Sequence, residues 1–318
     1  MSNKQKIQST LKSSDTEEWL DVVFTRPIGY RWAVLFNHFD IHPNVVTVIS
    51  MILGAMSALF FFHQADTPRG FVLNIVGVLL LMLANFYDSA DGQLARMTGK
   101  TTRLGRILDG AAGDVWFICI YFALAFRLFN QEIPFTGGTP WQWWSFALFA
   151  VAGLCCHGTQ SGLADYYRQI HLYFLKGKSK SELDNYKQQK AIYEQTPWKG
   201  NFLWKGFLFF YVRYTKKQEA QTPQFQKLMQ ALQSKFDGDI PQSFRDAFRE
   251  KSLPLMKWTN ILTFNCRAIV LYVSCLADVP YVYPLFEIIV MSIIYIHMRS
   301  THERNCKNFT ADVEKGIY

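Results

Sequence analysis

Apolar residues arrive in blocks along this chain. Six runs of roughly 17–22 residues, near 45–63, 70–88, 107–129, 141–161, 258–277 and 280–298, are long enough to cross the hydrocarbon core of a bilayer. Only helices and closed barrels satisfy their backbone in lipid, and runs of this length favour helices. The pattern predicts an all-α integral membrane protein with six transmembrane helices. Before the first span, Asp15 to Asn37 sets Trp19, Leu20, Val23, Phe24, Trp32, Leu35 and Phe36 against Arg26 and Arg31. That is the pattern of an amphipathic helix lying in the interface, with Pro27 kinking or dividing it.

The long polar stretch between the fourth and fifth spans is a helical insertion. The chain divides into four regions: 1–44, a tail and interfacial helix; 45–163, spans one to four; 164–256, the insertion; 257–318, the last two spans and a second tail. Within the insertion, LYFLKGKSKSELDNYKQQK is expected to be helical and charged. The aromatic run FLWKGFLFFYVRY at 202–214, with Lys205 and Arg213, is short for a span and suits an interfacial segment.

Charge orients these blocks. The loop near 63–70 holds only Arg69, and the loops near 130–140 and 278–280 hold no Lys or Arg. Nearly all the other basic residues lie at the termini, in the 96–106 loop and in the insertion, which places these regions in the cytoplasm. The net charge of +8 is explained by this bias and by anionic head groups, so no nucleic-acid partner is invoked. The six cysteines form no CxxC pair, and five of them fall inside apolar segments, so they are read as packing residues.

The chemistry is concentrated between Asp88 and Asp114, DSADGQLARMTGKTTRLGRILDGAAGD, at the cytoplasmic ends of the second and third spans. Ionisable groups at a membrane edge are costly and mark function. Clustered carboxylates without nearby Cys or His suit hard cations, Mg²⁺ or Mn²⁺, rather than zinc. Asp88 and Asp91 share a helix face. Gly92 leaves its backbone open to a ligand, and Arg96 offers a fork for a phosphate.

Asp-x-x-Asp-Gly-x-x-Ala-Arg, eight residues, then Gly-x-x-x-Asp resembles the signature of the CDP-alcohol phosphotransferases (CDP-alcohol phosphatidyltransferases). The match runs through Asp88, Asp91, Gly92, Ala95, Arg96, Gly105 and Asp109. His42-Pro43-Asn44-Val45-Val46-Thr47 is similar to the Pro-Asn-x-x-Thr opening of the family's first span. The resemblance implies a six-helix enzyme that transfers a substituted phosphate from a CDP-linked donor to an alcohol and releases CMP, in phospholipid synthesis. It implies two divalent cations held by Asp88, Asp91 and Asp109, with Asp114 as fourth ligand and as base for the acceptor hydroxyl. Gly92, Ala95, Arg96, Gly105, Asn44 and Thr47 become the nucleotide site. A CDP-linked donor, an alcohol acceptor and membrane lipids become the partners, and a homodimer is in keeping with the family.

One position departs from the pattern. The family spacing is Asp-x-x-x-Asp, whereas Asp109 is followed by Gly113 there and by Asp114 one residue late. On a regular helix this turns Asp114 by about 100°. A π-bulge in the third span, eased by Gly110 and Gly113, returns Asp114 to the site. Alternatively Asp114 acts from another direction, or the fourth carboxylate is missing and the protein is a silent scaffold of the same fold. A transporter is a further class, but the carboxylates gather at one face rather than along a path.

The acceptor is not named by the sequence. Arg103 and Arg106 at the cytoplasmic mouth, Arg267 in the fifth span and Gln160 at the end of the fourth are its candidate contacts. Arg267 has a second reading, an ion pair with Glu287 of the sixth span. The three arginines favour a phosphorylated acceptor such as inositol phosphate. Arg127 marks the opposite membrane edge, where snorkelling is sufficient explanation.

Overall fold

The computed structural model describes residues 13–177 and 183–318. Among these residues it is helical throughout, with one isolated bridge between Glu132 and Pro140. Helix α1 is Arg26–His38, α2 Pro43–Phe61, α3 Pro68–Thr98 and α4 Arg103–Leu128. Helix α5 runs Trp143–Lys176, and after it come α6 Tyr186–Gln195, α7 Phe202–Gln221 and α8 Pro223–Phe236. Helices α9 Gln242–Ile261, α10 Phe264–Leu276 and α11 Val282–Glu314 complete the chain. Six helical stretches are long and apolar enough to cross a membrane: Pro43–Phe61, Pro68–Thr98, Leu104–Leu128, Trp143–Lys176, Gln242–Leu276 and Val282–Glu314. The protein is therefore multi-pass, as the apolar blocks predict. Several of these helices run well past their apolar blocks into polar sequence.

The chain forms two compact units. One holds residues up to Thr159 together with Phe264–Val290, and the other holds Gln160–Thr263 with Met291–Tyr318. In the first, α2 packs along α3 and α4. Trp116 of α4 lies over Gly54 of α2, where a Cβ would come within 2.1 Å of the indole, and its Nε1 donates to Ser50 O at 3.0 Å. Ala58, Phe61, Leu81, Ala84, Ile120 and Leu124 fill the core around this crossing. Helix α1 crosses α3 at Gly29, where a Cβ would meet Ser89 Oγ at 2.8 Å, and Gln93 Nε2 donates to Arg26 O at 3.2 Å. Trp32 and Phe36 pack on Tyr87, at 4.8 and 5.1 Å between ring centroids. The α1 segment is thus fastened directly to the helix that carries the aspartate motif.

Arg127 does not snorkel. It is buried, and its guanidinium donates to Phe61 O (3.0 Å), Asn74 Oδ1 (2.8 Å), Cys275 O (2.9 Å) and Asp278 Oδ1 (2.5 Å). These groups come from the end of α2, the start of α3 and the end of α10 with the turn after it, and together they satisfy the buried cation.

In the second unit, Phe174, Phe244, Phe248 and Phe309 form an aromatic core, and Tyr167 stacks on His302 at 3.9 Å. The run expected to be helical and charged is helical only at its two ends among the described residues. Helix α5 stops at Lys176 before Gly177, whose φ of +81° is a left-handed stop that glycine adopts without penalty, and α6 begins at Tyr186. Residues 178–182 of that run lie outside the described residues. The aromatic run at 202–214 belongs to the twenty-residue helix α7, which leaves Phe202 and Phe210 exposed and buries Leu208.

Candidate active site

The site is built from three helix ends of the first unit. His42 caps α2, its Nδ1 accepting the Asn44 N–H at 3.2 Å, with Pro43 in the first turn. Thr102 caps α4, its hydroxyl accepting the Gly105 N–H at 2.9 Å. Helix α3 ends at Gly99, left-handed at φ +69°, and Lys100 then pairs with Asp40 at 2.9 Å. The ammonium beside Asp40 holds its carboxyl below the ordinary carboxylate value. This exposed pair links the loop before α4 to the turn after α1.

These ends bring Asp88, Asp91 and Asp109 together. One carboxylate oxygen from each lies within 4.8 Å of the others. Asp91 is buried and Asp109 exposed, so the cluster opens on one side. Thr47 of α2 lies beside the Asp91 carboxylate. Asn44 Oδ1 lies 2.8 Å from where a Cβ on Gly105 would stand, so only glycine lets α4 approach α2 this closely. The Arg96 guanidinium folds back over Gly92, with Nη1 3.3 Å from the position a Cβ would take there. Asn44, Thr47, Gly92, Arg96 and Gly105 thus surround the carboxylates, with Ala95 on the same stretch of α3.

Whether the cluster fits a cation can be judged from its oxygens. Asp88 Oδ1 and Asp91 Oδ2 are buried and have no hydrogen-bond partner among the described residues. Buried carboxylate oxygens are normally satisfied, and three carboxylates at this separation repel one another. Hard oxygen donors that lack partners and converge on a point fit a hard divalent ion.

Asp114 is not in that group. Helix α4 is α-helical without interruption from Arg103 to Leu128, so the π-bulge expected there is not formed. The reason is visible at the two glycines thought to ease it. A Cβ on Gly110 or Gly113 would meet nothing within 4 Å, so no crowding exists for a bulge to relieve. Asp114 is exposed on the stripe that carries Gly110, Phe117 and Tyr121, and its strongest charged neighbour is His157. The π-turns lie elsewhere: Asp21–Thr25 before α1, Val151–His157 inside α5 and Glu287–Met291 inside α11.

The acceptor candidates separate. Arg106 is exposed at the start of α4. Arg103 opens the same helix, but its side chain lies outside the described residues. Gln160 belongs to the second unit, where it donates to Ser292 Oγ at 3.1 Å. Arg267 is fully buried and paired with Glu287, the second of its two sequence readings. Sequence reasoning passed over Tyr121 and Tyr283, whose hydroxyls both donate to Glu287. A tyrosine in an apolar span carries no signal of its partner.

A carboxylate cluster that could hold a metal ion thus lies at the joint of three helix ends of a multi-pass membrane protein, ringed by glycines, an arginine and polar α2 residues. Residues 40–175 match the model of the CDP-alcohol phosphatidyltransferase family, so the resemblance carried by the motif holds over this segment. The chain is also similar to archaetidylinositol phosphate synthase of Pyrococcus horikoshii, 29% identical over 85 residues. That similarity covers 27% of this chain and 41% of the relative, so the chain spans about two fifths of the length of this curated relative. No solved structure matches the chain.

Proposed function

We propose that the protein is a divalent-metal-dependent CDP-alcohol phosphotransferase of phospholipid synthesis, transferring a substituted phosphate from a CDP-linked donor to an alcohol and releasing CMP. The observation that carries this reading is the Asp88–Asp91–Asp109 cluster with its partnerless buried oxygens, in the segment that the family model matches. Asp88, Asp91 and Asp109 would hold Mg²⁺ or Mn²⁺, and the ion would supply positive charge to neutralise the diphosphate and the departing CMP. Arg96 adds a fixed positive fork, and Gly92 and Gly105 keep the backbone accessible to the nucleotide. Asn44 and Thr47 orient the neighbouring groups from α2. A mouth facing the cytoplasm is in keeping with the distribution of Lys and Arg.

The acceptor class we favour is a phosphorylated polyol. The relative's name concerns an inositol phosphate product, and Arg103 and Arg106 open α4 beside the cluster. The test is a matrix of CDP-linked donors against inositol, inositol phosphate, glycerol phosphate, serine and diacylglycerol, read as metal-dependent CMP release by the purified protein. Turnover only with phosphorylated acceptors is expected. Turnover with free inositol and none with its phosphate overturns the acceptor, and no CMP from any pair overturns the enzyme in favour of a silent scaffold.

A further inference from the structure

The second unit holds a group of side chains that the proposed chemistry does not use. It lies on the polar extension of α11, past the apolar block that ends near residue 298, where the sequence reads His302-Glu303-Arg304-Asn305-Cys306. Cys306 is the one cysteine outside the apolar segments, and it is nonetheless fully buried, with His302 buried beside it. Residues four apart share a helix face, and this is the spacing by which a single helix offers two ligands to one zinc ion. His302 Nδ1 lies 3.6 Å from Cys306 Sγ and 3.6 Å from Glu303 Oε1, and Nε2 lies 3.9 Å from the same sulfur. One ligand atom from each of the three residues lies within 4.8 Å of the others. Zinc bonds of about 2.0–2.2 Å to nitrogen and oxygen and about 2.3 Å to sulfur, spread tetrahedrally, hold such atoms roughly 3.4–3.6 Å apart. The trio is spaced close to what one such ion demands.

The surroundings of the trio point the same way. Glu303 Oε2 accepts the Gln224 N–H, at the start of α8, at 2.7 Å. That bond fixes the carboxylate and leaves Oε1, which is buried and has no hydrogen-bond partner among the described residues. Tyr167 stacks on the His302 ring at 3.9 Å between centroids, and its buried hydroxyl is likewise without a hydrogen-bond partner among the described residues. Phe225 and Phe248 close around the same imidazole, at 6.0 and 6.4 Å between centroids. A cysteine that only packs needs no polar company. Two orphaned oxygens beside a buried thiol and imidazole are a cost that packing does not explain, because buried polar groups are normally satisfied. Glu303 also lines an open cavity of about 310 Å³, with Pro223, Gln224, Tyr295 and Arg299. The trio therefore has a route in and room for a further ligand.

We propose that His302, Glu303 and Cys306 form a zinc site, with Nδ1, Oε1 and Sγ as its protein ligands and the fourth position open to water from the cavity. Nitrogen, sulfur and oxygen together suit a borderline-soft cation, not the Mg²⁺ or Mn²⁺ argued for the aspartate cluster. On binding, the Cys306 S–H bond breaks, its proton leaves to solvent, and the thiolate donates an electron pair to the ion; His302 donates from its neutral form. Gln224 and Tyr167 are positioning residues: the first holds the carboxylate and the second the plane of the ring. The site uses none of the residues of the proposed phosphotransferase centre, and the inference does not rest on that reading.

The test uses the purified full-length protein in detergent, stripped with a chelator and titrated with Zn²⁺ or Co²⁺ in excess Mg²⁺, so that hard-oxygen sites stay filled. Zinc per chain is read by elemental analysis, affinity by competition with a chromophoric chelator, and sulfur ligation by the thiolate-to-Co²⁺ charge-transfer band. The wild type is expected to hold one zinc per chain and to show the band. Cys306→Ser abolishes the band and weakens zinc binding by about 100-fold or more, and Glu303→Gln keeps the band and weakens binding by about 10- to 100-fold. Cys155→Ser, which removes an exposed thiol of the first unit, changes neither, and neither does Asp88→Asn combined with Asp91→Asn. A wild type that takes up no zinc overturns the proposal, as does a band that survives Cys306→Ser or is lost in the double aspartate variant. If Cys306→Ser is not recovered as folded protein, Glu303→Gln decides: zinc affinity equal to the wild type there overturns the site and leaves the thiol and imidazole as packing.

Discussion

Asp91 is the residue on which the proposed chemistry depends most heavily. It is buried, its neighbours at the cluster are anionic, and one of its oxygens has no partner among the described residues. Asp91→Asn keeps the shape and removes the charge. We expect it to lower CMP release by about 10²–10³-fold, the scale of losing one electrostatic stabiliser of the transition state. The Mg²⁺ or Mn²⁺ concentration needed for half-maximal rate should rise as well. An unchanged metal requirement, measured by titration into the purified variant, would place the ions elsewhere. Arg267 makes the opposite point at the same scale. As a lone arginine in an apolar span it could as well meet a phosphate as a carboxylate, and only its placement opposite Glu287 decides between them.

At the scale of elements, the crossing of α2 and α4 depends on Gly54, which lies under Trp116 with no room for a methyl group. Gly54→Ala forces the indole away from Ser50 and should cost about 1–3 kcal/mol, as overpacking of a tight contact does. A melting temperature indistinguishable from the wild type would show that the crossing adjusts freely. Much of this level was legible in advance. The apolar blocks gave the spanning helices, since length and composition alone decide whether a helix can live in lipid. Helical periodicity put Asp88 and Asp91 on one face, and the resemblance to the family signature added Asp109 from the next helix. The π-turns were not legible: Val151–His157 and Glu287–Met291 are mostly apolar stretches with no local signal for an irregular turn. The bulge anticipated beside Gly110 and Gly113 failed for the complementary reason. Glycines permit an irregular turn, but nothing around them demands one.

For the whole molecule, the proposed metal site at the aspartates would couple ion binding to stability. Without cations the three aspartates repel each other across the α3–α4 joint, so binding in the folded state adds stability by mass action. At a free metal concentration about 100 times the dissociation constant the gain is roughly 2.7 kcal/mol. Thermal unfolding of the detergent-solubilised protein should therefore shift upward with Mg²⁺ or Mn²⁺, and Asp88→Asn combined with Asp91→Asn should abolish the shift. An equal shift in the double variant would trace the effect to ions bound away from the cluster.

The first unit is fastened unequally at its two ends. Arg127 ties Phe61, Asn74, Cys275 and Asp278 permanently at one. At the other, the joint between α3 and α4 gathers three carboxylates whose oxygens lie within 4.8 Å of one another. A bundle knotted at one pole and negotiable at the other can breathe where substrates arrive without coming apart where lipids press. Random mutagenesis should reflect that polarity: damage around Arg127 will surface as poor yield from the membrane, and damage around Asp91 as well-made protein that does no work.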